Sequence, residues 1–161
     1  MSSDKTVNLR LSGKNEDDLK VISAHLQDSV VLVKDIVFLK RNRSFVMIVN
    51  RFMWEDVEKG VFRDNKRIRC AIKFEGIIKG KSKNINQKNK NKSLEFLAMQ
   101  YDSSTEKDGK ITIFFSGNSA IILIAEVIDI AMNDLGNPWK ARYKPKHKIW
   151  ILNNVLILNK I

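Results

Sequence analysis

Residues 29–54 read SVVLVKDIVFLKRNRSFVMIVNRFMW, and their pattern decides the fold class. Residues 29–39 are dense in Val, Ile and Leu and are interrupted by Lys34 and Asp35. Five polar residues, 40–44, separate them from a second apolar run at 45–54. Branched and aromatic side chains fit a pleated surface, and two such runs joined by a short polar loop read as an antiparallel hairpin. Both alternating faces of residues 45–49 are apolar, which places this strand inside a sheet with a helix or second sheet behind it.

Before the hairpin, residues 6–12 alternate Val7, Leu9 and Leu11 with Asn8 and Arg10, the period of a half-buried strand. Asn15 stands where an N-cap would accept from the next turn, and Glu16, Asp17 and Asp18 put negative charge at a helix N-terminus. The spacing of Leu19, Ile22 and Leu26 predicts a helix over residues 16–27, with Lys20, Ser23 and Gln27 facing water. After the hairpin, residues 67–79 alternate Ile68, Cys70, Ile72 and Phe74 with Arg67, Arg69, Lys73 and Glu75, with Gly76 and Gly80 allowing a bend. Residues 94–101 and 110–116 are two more strands, and a Ser-Gly-Asn-Ser turn at 116–119 leads into another at 120–125. Val127, Ala131 and Leu135 then recur at helical spacing before Gly136 and Pro138, which predicts a second helix with its stop.

Successive strands joined by short turns pair antiparallel. The expected fold is α+β: a mainly antiparallel sheet or partly open barrel of about seven strands with two helices, of which a pleckstrin-homology-like barrel is one form. The 161 residues, 43% of them apolar, suit one hydrophobic core. They divide into a single compact domain over residues 1–148, a mobile basic loop at 80–93 that is almost wholly Lys and Asn, and an apolar C-terminal tail at 149–161.

The chemistry on offer is limited. Two histidines, His25 and His147, and one cysteine, Cys70, form no zinc-ligand spacing, and no phosphate-cradling or nucleophile-elbow motif occurs, so neither a metal nor another cofactor is expected. His25 three residues before Asp28 could be a general base oriented by a carboxylate, but a helix C-terminal histidine favoured by the dipole explains it more simply. The first dozen residues lack the apolar core of a signal peptide, and no apolar run reaches the roughly eighteen residues of a membrane helix. A lone cysteine makes no internal disulfide, so the expectation is a soluble cytoplasmic protein without membrane contact.

Net charge is +11, from 29 basic and 18 acidic residues. Lysine outnumbers arginine 21 to 8 beside 19 Ile and 15 Asn, an enrichment that an A+T-rich genome would also produce. Yet the excess is concentrated: residues 61–92 carry 11 basic and 2 acidic groups, and residues 137–161 carry 6 and none.

Several segments resemble an uncharacterised family of small alphaproteobacterial proteins of unknown function. They are Asp17-Asp18-Leu19 and the run from Val21 through His25-Leu26-Gln27-Asp28, then Asn50-Arg51-Phe52 and Trp54-Glu55. The second half adds Phe115-Ser116-Gly117 with Ala120 and Ile121, and Asp134-Leu135-Gly136 with Trp139. The resemblance covers roughly residues 5–140 and implies no activity, because that family has no assigned catalytic residues. The Lys/Asn segment and the tail after Lys148 depart from it.

Two functional readings follow. The first is a non-enzymatic protein-binding or adaptor module, for which Trp54 and Trp139 are candidate contacts. The alternative is a weak, sequence-nonspecific RNA- or DNA-binding protein using residues 61–92 and 137–148. Its contacts would be Arg67, Arg69, Lys73, Lys81, Lys83, Lys88, Lys90 and Lys92, with Trp139, Arg142 and Tyr143 supplying aromatics among cations. Nothing in the sequence names an enzyme mechanism.

Overall fold

In the computed structural model, which describes residues 8–55, 65–103 and 108–141, nine strands and one α-helix follow one another. They are β1 (Arg10–Gly13), α1 (Glu16–Leu26), β2 (Val30–Leu39), β3 (Ser44–Phe52), β4 (Lys66–Phe74), β5 (Ile77–Lys83), β6 (Ser93–Asp102), β7 (Gly109–Phe115), β8 (Ser119–Ala125) and β9 (Ile130–Lys140). Every pairing is antiparallel, in the order β1-β9-β4-β3-β2-β6-β7-β8-β5, and the sheet is open because its two ends do not pair.

The hairpin that set the fold class forms in register, with Val37 opposite Val46 and Phe38 opposite Phe45. Its loop is a 3-10 turn at Lys40–Asn42 closed by Arg43 in the left-handed region. Strand β3 lies inside the sheet and is buried or half-buried along its whole length, as apolar side chains on both faces require. Helix α1 begins as its sequence dictates: the Asn15 side chain accepts from the Asp18 N–H at 2.8 Å, and Glu16, Asp17 and Asp18 occupy the first turn.

The helix covers β6, β1 and β3 and contributes Leu19, Ile22 and Leu26 to a core that also takes Met47, Val49, Ile72, Phe74, Phe96, Ile113, Phe115, Leu123 and Met132. Ser23 and Gln27, expected to face water, are buried instead. The Ser23 hydroxyl accepts the Met99 N–H at 2.9 Å, next to a bulge where β6 leaves register with β7. A β6 donor beyond the three-residue pairing with β2 thus finds a partner on the helix.

Nine strands replace the expected seven for two reasons. Residues 67–79 are two strands, because Gly76 (φ 72) turns the chain out of one part of the sheet and into another: β4 pairs with β3 and β9, and β5 pairs with β8. The helix expected over residues 127–136, which would have closed a pleckstrin-homology-like barrel, is strand β9. Its inward side chains, Ile130, Met132 and Asp134, follow a period of two. A carboxylate at the third inward position hides that period from a hydrophobicity count. Gly136 (φ 69) and Pro138 sit in a bulge, where four residues of β9 span two of β4, on a stretch that β1 does not cover.

Residues 80–83, read as part of a loop, belong to edge strand β5. The remainder of that segment is tied to β2, since Val33 N–H donates to Lys92 O and Lys34 N–H to Lys90 O, both at 3.0 Å. Among the described residues no helix is long and apolar enough to cross a membrane. The tail at 149–161 lies outside the described residues.

Candidate functional site

Three places gather polar chemistry, and two of them sit at the end of the sheet where α1 finishes. The first is centred on Arg51, whose side chain is wholly buried. Its Nε and Nη2 donate to the two carboxylate oxygens of Asp134 at 2.8 and 2.7 Å, and Nη1 and Nη2 donate to Glu55 at 2.9 and 2.7 Å. Nη1 also donates to the Phe52 carbonyl at 3.3 Å, so all five donors are used. Asp134 accepts the Leu9 N–H at 3.0 Å, and His25 Nδ1 stands 4.0 Å from Glu55. Burial works against the guanidinium charge, but the two hydrogen-bonded carboxylates hold its pKa above the ordinary value. Glu55, penalised by burial but bonded to Arg51, is held below its own. The group ties β3, β9 and the chain at Leu9 together, and such closed pairing does not leave a free acid or base.

The second place is the turn after α1. Asp28 adopts φ 63 and is buried, its N–H donating to Phe96 O at 2.9 Å and its carbonyl accepting from Arg67 Nη1 at 3.1 Å. Burial, a hydrogen bond with the Glu95 carboxyl and the repulsion between the two push the Asp28 pKa up to about 7, against the pull of Arg67. Arg67 also donates to Asn50 O at 3.2 Å and lies over the Phe52 ring, 5.9 Å from its centroid. Desolvation lowers its pKa, opposed by Asp28 and Glu95. The residues that carry the sequence resemblance at 25–28, 50–55 and 134 thus converge on these two adjoining clusters.

This arrangement changes the expected exposure of two candidate contacts. Arg67, expected on the outer strand face, is half-buried and committed to two carbonyls. Trp54, expected as an exposed contact, packs edge-on against Phe52 with centroids 4.6 Å apart and donates its indole N–H to Gln27 O at 2.9 Å. Lys73 is exposed but paired with Glu75 at 2.8 Å, and Glu75 is further held low by Ser44. Arg69 is exposed, and Trp139 remains 41% exposed near the end of β9. Cys70 is a core residue as its strand face requires, its thiol pushed up to about 12 by burial and the nearby Asp134. Arg142 and Tyr143 lie outside the described residues. Among the described residues no three His, Cys, Asp or Glu side chains are placed to hold a metal ion.

The third place is a cleft of about 380 Å³ between β2, β5 and residues 84–92. It exists because β2 pairs with β6 only across Val30–Leu32, while among the described residues β5 joins the sheet through β8 alone, so the far half of β2 faces β5 without a ladder between them. Val33, Ile36, Phe38, Phe45 and Ile121 form its floor. Lys40, Lys81 and Lys90 stand around it with Ser82 and Gln87, whose amide donates to the Ser82 hydroxyl at 2.9 Å. Lys81 and Lys90 were legible in the sequence as cations; the apolar floor was not, because it joins residues far apart in the chain. Lys83, Lys88 and Lys92 are exposed on the same edge but do not line the cleft.

No curated protein and no solved structure matches the chain. One family model does, over residues 9–147, running through the Lys/Asn segment and ending before the apolar tail. By that match the chain belongs to the family described as "Protein of unknown function (DUF2948)".

Proposed function

We propose that the protein is a non-enzymatic binding module of the cytoplasm that presents the basic edge formed by β5 and residues 84–92 to an acidic protein partner. The observation that carries this reading is the edge itself. From Ile78 to Lys83 every residue of β5 is exposed, among the described residues the strand pairs only with β8, and no Asp or Glu occurs from residue 76 to residue 92. An unpaired strand edge offers backbone donors and acceptors for augmentation, and a row of lysines selects for acidic side chains while discouraging self-association. The titratable groups elsewhere support the same reading, since Arg51, Asp134 and Glu55 are closed into ion pairs. With Cys70 the one cysteine of the sequence, there is no internal disulfide to form, as is usual in a reducing compartment.

Nucleic-acid binding is the second reading, favoured by the same exposed lysines and by Trp139, and weakened by the commitment of Arg67 to the Asp28 and Asn50 carbonyls. Affinity capture from native lysate with and without nuclease treatment, using the intact chain and one with Lys83, Lys88 and Lys92 all replaced by Glu, tests the proposal. Capture of a defined acidic protein that the triple variant loses supports it. An identical captured set for both chains refutes it, and captured material that disappears on nuclease treatment favours the nucleic-acid reading.

A further inference from the structure

The cleft beneath the basic edge has a chemistry of its own. Its floor is apolar where the sheet lacks a ladder, with Phe38 and Leu123 near Gly80 such that a Cβ added there would lie 3.6 Å from each. Lys40, Lys81 and Lys90 are among its lining residues, and among the described residues no Asp or Glu lines it and no ion pair involves any of the three lysines. An apolar surface facing water under a ring of uncompensated cations is complementary to a molecule with an apolar body and one anionic end. We infer that the cleft is a binding site for a small amphipathic carboxylate, its chain lying on Phe38 and Ile121 and its carboxylate reaching Lys81 and Lys90.

Size limits the ligand. A volume of about 380 Å³ lies near the lower end of ligand pockets, roughly 300–1,000 Å³. A single-chain amphiphile of about ten carbons is matched to a cleft of this size. The cleft shares Gly80, Lys81, Ser82 and Lys90 with the proposed protein-binding edge, but the two tests are distinguishable, because Lys83, Lys88 and Lys92, which test the protein-partner reading, do not line the cleft.

The test is a titration of the full chain with decanoate below its micellar concentration, followed by calorimetry and by amide and methyl NMR shifts. Decanol, which has the tail without the charge, and acetate, which has the charge without the tail, are run beside it. Decanoate should bind and move the signals of Phe38, Gly80 and Ile121, with decanol at least tenfold weaker and acetate silent. Lys81→Ala with Lys90→Ala should weaken decanoate at least tenfold. Gly80→Leu, at an exposed position with negative φ and room at Cβ, should fill the cleft and abolish binding while leaving the thermal unfolding midpoint within a few degrees of the parent. The inference is overturned if decanoate leaves the cleft signals unmoved, or if it binds the folded Gly80→Leu chain as tightly as the parent.

Discussion

Replacing Asp28 by Asn should stabilise this protein at alkaline pH and leave it unchanged near pH 4. The structure supplies each part of the reasoning. Asp28 is buried at φ 63, a region that Asn tolerates as well as Asp does, and the backbone bonds to Phe96 O and Arg67 Nη1 are indifferent to the side-chain change. Its carboxyl shares a hydrogen bond with Glu95, which two ionised carboxylates cannot make without a proton between them. An Asn amide can donate in place of that proton. Because the Asp28 pKa rises from 3.8 to about 7 on folding, the folded chain binds more protons than the unfolded chain between those values. Stability from this group is therefore greatest below the unfolded pKa, falls as pH rises toward about 7, and is level beyond it. Roughly three pH units at 1.36 kcal/mol each set an upper bound of about 4 kcal/mol. Arg67 loses one of its two neighbouring carboxylates in the variant, so the expected gain at pH 8 is about 1–4 kcal/mol. Urea unfolding followed by tryptophan fluorescence at pH 4.5, 6 and 8.5 measures it. A variant less stable than the parent at pH 8.5, or a difference that does not change with pH, would refute the account of a shared proton.

Two further outcomes follow from the buried chemistry. Arg51→Met should lower stability by about 3–5 kcal/mol in the same urea assay, because Glu55 and the buried Asp134 lose the counter-charge between them; a loss below about 1 kcal/mol would mean the group is already solvent-screened. Cys70, buried and with its thiol pushed up to about 12, should resist a disulfide reagent at pH 8 and react only as the chain unfolds in urea; labelling in native buffer at the rate of a free cysteine would contradict its placement in the core.

How far the fold was readable depended on the range of the interaction that selects each element. The β2–β3 hairpin, the Asn15 cap, the Gly117-Asn118 turn with φ of 74° and 60°, and the alternation of β4 up to Phe74 all follow from neighbours within a few residues. The site was less legible. An arginine in the apolar run at 45–54 and an aspartate at an inward position of β9 were the available signals for the Arg51–Asp134 pair, but each is ambiguous without the other, 83 residues away. Trp54 looked exposed for the same reason, since its partner Gln27 lies 27 residues earlier.

Composition and period by themselves determined that this chain is a mainly antiparallel sheet covered by an N-terminal helix, because side-chain alternation and capping are local properties of the backbone. Tertiary pairing alone decided the rest. It made residues 130–140 a strand between β1 and β4, since a ladder with two neighbours outweighs weak helical propensity. It also buried Arg51 between two carboxylates and left β2 and β5 facing one another across a lysine-rimmed cleft. Charge on a sequence has sign but no direction, and only the sheet order determines whether a cation neutralises a buried carboxylate, as Arg51 does, or stands over open apolar surface, as Lys81 and Lys90 do.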